Sequence, residues 1–425
     1  MKYRLFKPRN LSAEVTLPAS KSISNRALAL STLSGGGTKL LTNVSDCDDT
    51  HAMLRALSWP ETIDVGAAGT AMRFLTAMLS ILPGNRLITG SERMRHRPIG
   101  VLVEALRHLG AHIEYVGEEG FPPLRINGHP LAGGEVALPG DVSSQYISAL
   151  MMIAPLMKKG LTLHLTGDII SRPYLQMTLE MMQSFGAEVV WKDERCIRVE
   201  HRAYAPTPYL IESDWSAASY WYEIVLLSGN EQETATLNGL FSQSLQGDSA
   251  VSELFERLSV QSLFLGAGSE QPKTTLVRRG VLPERFDADF TRTPDLAQTL
   301  IVTCALKGIP FRCTGLKSLR IKETDRIAAL EKELGKLGVQ VEVEGDNAMS
   351  WRGPVLQPKG AVPYLQPAPD TAIDTYDDHR MAMAFAPAAL VLGSIDINHP
   401  EVVSKSYPRF WEDLKRAGVE TQPLP

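Results

Sequence analysis

Cysteine is scarce in this chain of 425 residues: Cys47, Cys196, Cys304 and Cys313 are scattered, and no two form a C-x-x-C pair. A disulfide framework or a thiolate zinc site is therefore not expected, and a reducing, cytoplasmic setting is. Charge of one sign is also missing. The 43 Lys and Arg nearly balance 48 Asp and Glu, leaving a net charge of -5. Nothing draws the whole chain to nucleic acid or an anionic membrane, so an anion site must be a local concentration of cations. The longest apolar runs, around Ile147–Met157 and Met383–Leu392, each contain a proline. They fall far short of the roughly 20 residues a membrane helix needs. The opening Met1–Arg9 carries charge but no apolar stretch, so no secretory leader is expected. A phosphate loop of the form G-x-x-x-x-G-K-[ST] is absent, which argues against a nucleotide kinase. No basic face interleaved with aromatics speaks for nucleic acid.

What is present is an ordinary globular composition, 44% hydrophobic and 21% charged, which excludes disorder. The length suits two domains of roughly 200 residues. A unit recurs along the chain. An amphipathic helical stretch ends in Leu or Phe, then Gly, then a short alternating run. Ile99–Leu109 leads to Gly110, Tyr174–Phe185 to Gly186, and Asp325–Leu337 to Gly338. Looser copies end at Leu57, Leu258 and Ala417-Gly418. The glycine suits a left-handed helix end and the alternation a strand. Six βα-rich units, three per domain, are expected. Their helix N-termini carry partial positive charge and free N–H groups, which favour phosphate and carboxylate ligands.

Polar residues concentrate at those helix starts. Ser20-Lys21-Ser22-Ile23-Ser24-Asn25-Arg26 opens one apolar helix, and the small residues Gly66–Gly69 open another that begins Thr70-Ala71-Met72-Arg73. Arg93, Arg95 and Arg97 precede Pro98, a residue suited to a first helical turn. Ser143-Ser144-Gln145 and Ser171-Arg172-Pro173-Tyr174 offer hydroxyls and an amide that suit either a polyol or simple capping. Later come Asp295, the charged run Arg320–Arg326 with its Lys322-Glu323 pair, Asp378-His379-Arg380, and Lys405. The acids beside His379 lack a second cluster and are followed by a cation, so no metal is expected. Lys21, Arg26, Arg97, Lys322, Arg326, Arg380 and Lys405 thus gather at loop–helix junctions. That pattern suits a small, multiply anionic ligand. Asp295 and Glu323 among them suit proton transfer.

Taken in order, Pro18–Arg26, Ala68–Arg73, Arg97–Ile99, Ser143–Gln145, Ser171–Tyr174, Pro294-Asp295, Lys322–Arg326, Asp378–Met383 and Lys405–Pro408 closely resemble the 5-enolpyruvylshikimate-3-phosphate synthase family across nearly the whole chain. The resemblance implies an α/β fold of two domains, each three βαβαββ units in an inside-out α/β barrel. One domain would be 1–17 plus 213–425, the other 18–212, with the active site in a cleft that closes on ligands. It implies transfer of the enolpyruvyl group of phosphoenolpyruvate to the 5-hydroxyl of shikimate 3-phosphate, with phosphate released, through a tetrahedral intermediate. By resemblance, Lys21, Ser22, Arg26, Ser143, Ser144, Gln145, Ser171, Tyr174, Asp295 and Lys322 contact shikimate 3-phosphate. Lys21, Gly69, Arg97, Gln145, Arg326, Arg380 and Lys405 contact phosphoenolpyruvate. Asp295, Glu323, Lys322 and Lys21 are the catalytic candidates; no cofactor, metal, nucleic acid or membrane is implied, and a monomer is expected. The chain departs from the family at Ala67 and Ser318, where Asn is common, and at Phe74, where Pro is frequent. The first two each forgo an amide that could hydrogen-bond, worth about 1 kcal/mol. Two alternatives remain at this stage: the related transferase acting on UDP-N-acetylglucosamine, and a non-catalytic anion-binding relative.

Overall fold

The computed structural model describes residues 1–141, 143–230, 232–266, 269, 272–354, 364–368 and 371–424. The chain forms two compact units. One comprises Met1–Pro18, Ser213–Ser244 and Asp248–Pro425; the other comprises Ala19–Glu212 and Leu245–Gly247.

Both are built from one repeating pattern. In the second unit, strand Thr62–Asp64 leads through helix Gly69–Ile81 to the parallel strand Gly84–Thr89. Helix Gly100–His108 then leads to a hairpin, His112–Tyr115 and Leu124–Gly128, whose last strand pairs antiparallel with Gly84–Thr89. The sheet order is therefore first, second, fourth, third. Gly134–Pro139 through Cys196–Val199 repeats it, with helices Ser144–Ile153 and Arg172–Ser184. The remaining repeat of this unit is smaller. Helices Lys21–Leu33 and Asp48–Ala56 flank Leu41–Thr42, which pairs parallel with Tyr209–Leu210.

Among the described residues the first unit has three four-stranded sheets of the same order. Phe286–Asp289 starts one, with helices Ala297–Lys307 and Arg326–Lys336. In another, Ser12–Thr16 is followed only after the other unit by helix Trp215–Ser228 and the parallel strand Thr234–Asn238. In the last, Ala372–Ile373, Ser394–Asn398 and Glu420–Leu424 are completed by Lys2–Phe6 from the other end of the chain.

Burial puts the helices inside. All thirteen residues of Gly69–Ile81 are buried, as are ten of the eleven in Ala297–Lys307. A helix apolar all round must sit in a core, whereas Leu161–Thr166 alternates and keeps one face wet. Leu75 and Leu300, both wholly buried, show what this packing contributes: truncating either to Ala costs about 2–5 kcal/mol. The helix ends use the left-handed backbone read from the sequence, with φ of 100° at Gly110 and 88° at Gly186. In each sheet the first two strands are parallel, so both following helices start from the same edge. Ligand-binding loops belong at that edge.

Candidate active site

In the first unit the helix starts bring four cations and three carboxylates together. Helix Arg326–Lys336 is capped by Asp325, whose carboxylate accepts from the N–H groups of Ile327 and Ala328. That cap aims Arg326 at three acids. Its Nε donates to Asp378 Oδ2 at 2.6 Å, one terminal nitrogen to Asp295 Oδ1 at 3.0 Å, and the other to Glu323 Oε2 at 2.9 Å. Arg380 lies 3.1 Å from Asp295 Oδ2 and also donates to the Tyr220 hydroxyl at 3.4 Å. Lys322 Nζ is 3.5 Å from Asp295 Oδ1, and Lys405 Nζ is 3.4 Å from Glu323 Oε1.

The electrostatics follow. Burial pushes the Asp295 carboxyl up, but Arg380, Lys322 and Arg326 together outweigh it and hold the group well below the usual carboxylate range. Asp248 nearby behaves oppositely. Burial, then the charge of Asp295, raises it to about 6, against a lowering pull from Arg380 and a hydrogen bond from Ser216. Two acids in one neighbourhood are thus driven apart.

In the second unit, helix Lys21–Leu33 is capped by Ser20 and opens with Lys21, whose Nζ lies 3.3 Å from Asp49 Oδ2. One turn on, Arg26 is buried, and among the described residues no carboxylate lies within 4 Å of it. It donates to Thr178 Oγ1 at 2.7 Å, Ser148 Oγ at 3.3 Å and the Ser22 carbonyl at 3.0 Å. Its guanidinium lies over the rings of Phe74 and Tyr174, 5.3 and 6.0 Å from their centroids. Burial lowers its pKa to about 10. A cation desolvated without a counter-ion is costly, and an anionic ligand would offset that cost.

A second group surrounds the start of helix Gly69–Ile81. A Cβ on Gly69 would come within 2.9 Å of one Arg97 terminal nitrogen and 3.3 Å of Arg73, so the glycine leaves room for two guanidinium groups. Arg73 donates to the Gly69 carbonyl, and the Arg97 Nε is buried without a hydrogen-bond partner. Gln145 Nε2 donates to Thr70 Oγ1 at 3.1 Å, while Tyr146 donates to the Pro98 carbonyl. Ser143 caps helix Ser144–Ile153, and Ser171 takes a left-handed conformation (φ 54°) before helix Arg172–Ser184.

Hence Asp295, Lys322, Glu323, Arg326, Arg380 and Lys405 form one connected cluster. Ser22, Arg26 and Tyr174 form a second, and Gly69, Arg97 and Gln145 a third. Phe74, on the helix that starts at Gly69, joins the last two through Arg26. Among the described residues no hydrogen bond ties the side chains of Ser144 or Ser171 to these groups. Sequence reasoning missed several partners: Asp378, Asp49, Arg73, Asp248 and Tyr220. Arg73 lay inside a motif named from the sequence, as did Asp378. The role of Asp378 in holding Arg326 depends on a contact between residues 52 positions apart. Among the described residues no group of His, Cys, Asp and Glu suits a metal ion, and no helix is long and apolar enough to cross a membrane.

Comparison with known proteins adds to this geometry. The EPSP synthase family (3-phosphoshikimate 1-carboxyvinyltransferase) matches residues 5–59 and 55–414. The 3-phosphoshikimate 1-carboxyvinyltransferase of Bacteroides fragilis strain YCH46 is 54% identical over 419 residues, covering 98% of each chain. That of Vibrio cholerae serotype O1 strain M66-2 is 37% identical over 431 residues, covering 95% of this chain and 96% of the relative. The structure of EPSP synthase from Acinetobacter baumannii superposes with a TM-score of 0.75 over the full length of both chains, at 22% identity, and supports the fold.

Proposed function

This chain belongs to the EPSP synthase (3-phosphoshikimate 1-carboxyvinyltransferase) family, and from that premise we propose how its residues divide the work. The enzyme transfers the enolpyruvyl group of phosphoenolpyruvate to shikimate 3-phosphate in the shikimate pathway of aromatic amino acid biosynthesis. In our reading, 1–17 plus 213–425 and 18–212 act as its two domains. Ser22, Arg26, Ser143, Ser144, Ser171 and Tyr174 receive shikimate 3-phosphate, with Lys21 and Gln145 touching both substrates. The buried, uncompensated Arg26 suits the 3-phosphate. Gly69, Arg97, Arg326, Arg380 and Lys405 receive phosphoenolpyruvate.

Two polyanions have to be held in contact, so their repulsion must be offset by positioned cations. Asp295 takes the proton of the 5-hydroxyl as its oxygen adds to C2 of phosphoenolpyruvate, and Lys322, 3.5 Å away, steadies the developing charge. Glu323 delivers a proton to the methylene carbon, giving a tetrahedral ketal phosphate. A methyl proton then returns to Glu323 while phosphate leaves, taking up the proton held on Asp295, so that both carboxylates are restored. Without substrate, Asp295 is a weak base, because three cations hold its proton off. Phosphoenolpyruvate has its own anions to offer Arg326 and Arg380. As they take over, Asp295 loses two of its three neutralising charges and becomes more basic when it is needed. The four cysteines are buried and unpaired, which suits a cytoplasmic enzyme, and we take it to act as a monomer.

The observation that carries this assignment is Asp295 bonded among Lys322, Arg326 and Arg380. Asp295→Asn keeps the shape but removes the base. It is expected to bind shikimate 3-phosphate within a few fold of wild type and to lose about 10²–10⁴-fold in kcat, by calorimetry and phosphate release. Full turnover in that variant would remove Asp295 from the role.

A further inference from the structure

Asp378 and Arg380 sit at the end of a turn that the backbone adopts at a cost. Tyr376 and Asp377 both have positive φ, 54° and 55°. Side chains crowd the backbone there, and β-carbon-free glycine is the usual occupant. The matching turn of another repeat, before helix Gly69–Ile81, indeed uses Gly66 at φ 56°. The two turns share a further bond: the N–H of Asp378 donates to the Thr375 carbonyl as that of Ala68 does to Val65. A tyrosine in this position needs a compensating contact.

It has one. The Tyr376 hydroxyl donates to Glu333 Oε1 at 2.5 Å, and the Glu333 side chain is wholly buried. The other oxygen of Glu333 accepts from the Asp374 N–H at 3.0 Å. Lys336 neutralises Glu333 at 2.7 Å and Asp374 at 2.9 Å, and Lys332 lies over the Tyr376 ring. Glu333 and Arg326 belong to the same helix, two turns apart. That helix therefore grips residues 374–378 twice, through Glu333 at one end and through Arg326 on Asp378 at the other.

We propose that Tyr376 is a positioning residue: its hydroxyl, anchored on Glu333, holds the turn that sets Asp378 and Arg380 in register with Arg326. The effect on substrate rests on the assignment of Arg326 and Arg380 to phosphoenolpyruvate. Ser22, Arg26, Ser143, Ser144, Ser171 and Tyr174, to which shikimate 3-phosphate is mainly assigned, belong to the other unit, while Asp295 is held by Arg326 and Arg380 themselves.

The test compares wild type, Tyr376→Phe, which loses only the hydroxyl, and Tyr376→Gly, which also relieves the backbone. KM is measured for each substrate, along with kcat, melting temperature and amide hydrogen exchange over 374–385. Both variants are expected to raise KM for phosphoenolpyruvate about tenfold while KM for shikimate 3-phosphate stays within about twofold. Exchange over 374–385 is expected to quicken. The proposal is overturned if Tyr376→Gly matches wild type, since a permissive backbone would then suffice. It is also overturned if both KM values rise together, or if only the melting temperature falls. Should wild type release no phosphate, the catalytic reading fails separately. Unchanged exchange protection in Tyr376→Phe then overturns the anchoring itself.

Discussion

Replacing Arg326 by Met probes the arrangement most severely. The Arg326 side chain is 2% exposed and bonds three carboxylates, of which Asp378 is wholly buried and Glu323 is 13% exposed. Removing the cation leaves these acids facing one another, with Lys322, Lys405 and Arg380 too dispersed to serve Asp378. Breaking a buried ion pair from one side costs about 3–5 kcal/mol. For a unit of this size each kcal/mol lowers the melting temperature by about 2–4 °C, so a drop of about 6–20 °C is expected at pH 7. Burial raises Asp295, yet Arg380, Lys322 and Arg326 bring it well below its ordinary 3.8. A carboxylate so lowered adds stability above that ordinary value and loses it as pH falls through its folded one. Wild type therefore loses this contribution only in strong acid, and the gap to Arg326→Met closes as pH falls below about 4. Arg326→Lys keeps one charge but cannot reach three acids, and should fall between. Calorimetric melts of the three proteins from pH 7 downward measure this. If Arg326→Met melts within about 2 °C of wild type at pH 7, the carboxylates are not held as described.

Two further outcomes follow from other parts of the molecule. Gly69→Ala places a Cβ 2.9 Å from the Arg97 guanidinium and 3.3 Å from Arg73. Both are flexible side-chain ends that can shift, so the melting temperature should hold while KM for phosphoenolpyruvate rises about tenfold in steady-state kinetics. Lys307 is lowered to about 8 by burial and then by Arg278 and Lys7. Between that value and its unfolded 10.5 the folded chain binds fewer protons, so stability rises with pH there. Lys307→Met should melt above wild type at pH 7, with the advantage shrinking toward pH 10.5; a pH-independent difference would contradict this.

Much of the fold was legible because one local signal repeats. Leu or Phe followed by Gly marks a helix end where glycine takes the left-handed position, as at Gly110, Gly186 and Gly338, and Gly418 does the same after Ala417. The looser copies were loose for a physical reason: Trp59 and Ser259 occupy that backbone region instead, at φ 56° and 68°. What no local pattern reveals is pairing across the chain. Lys2–Phe6 completes a sheet with Ser394–Asn398 and Glu420–Leu424, and nothing within those five residues names their partners. The candidate site divides similarly. Cations at helix starts stand out in a sequence because solvated loops seldom gather so many. Their acids do not. Asp378 accepts from the Arg380 N–H as an ordinary cap, and only the fold shows it also holding Arg326. Asp248 carries no pattern at all, and its buried place beside Ser216 comes from packing. Phe74, a departure from the family where Pro is frequent, has its ring under Arg26, among the groups assigned to shikimate 3-phosphate.

The most direct measurement is phosphate release by the purified protein from phosphoenolpyruvate, with shikimate 3-phosphate or UDP-N-acetylglucosamine as acceptor, each with and without EDTA. Release that requires shikimate 3-phosphate and survives EDTA is expected. Release with UDP-N-acetylglucosamine alone, release abolished by EDTA, or none with either acceptor would contradict the assignment.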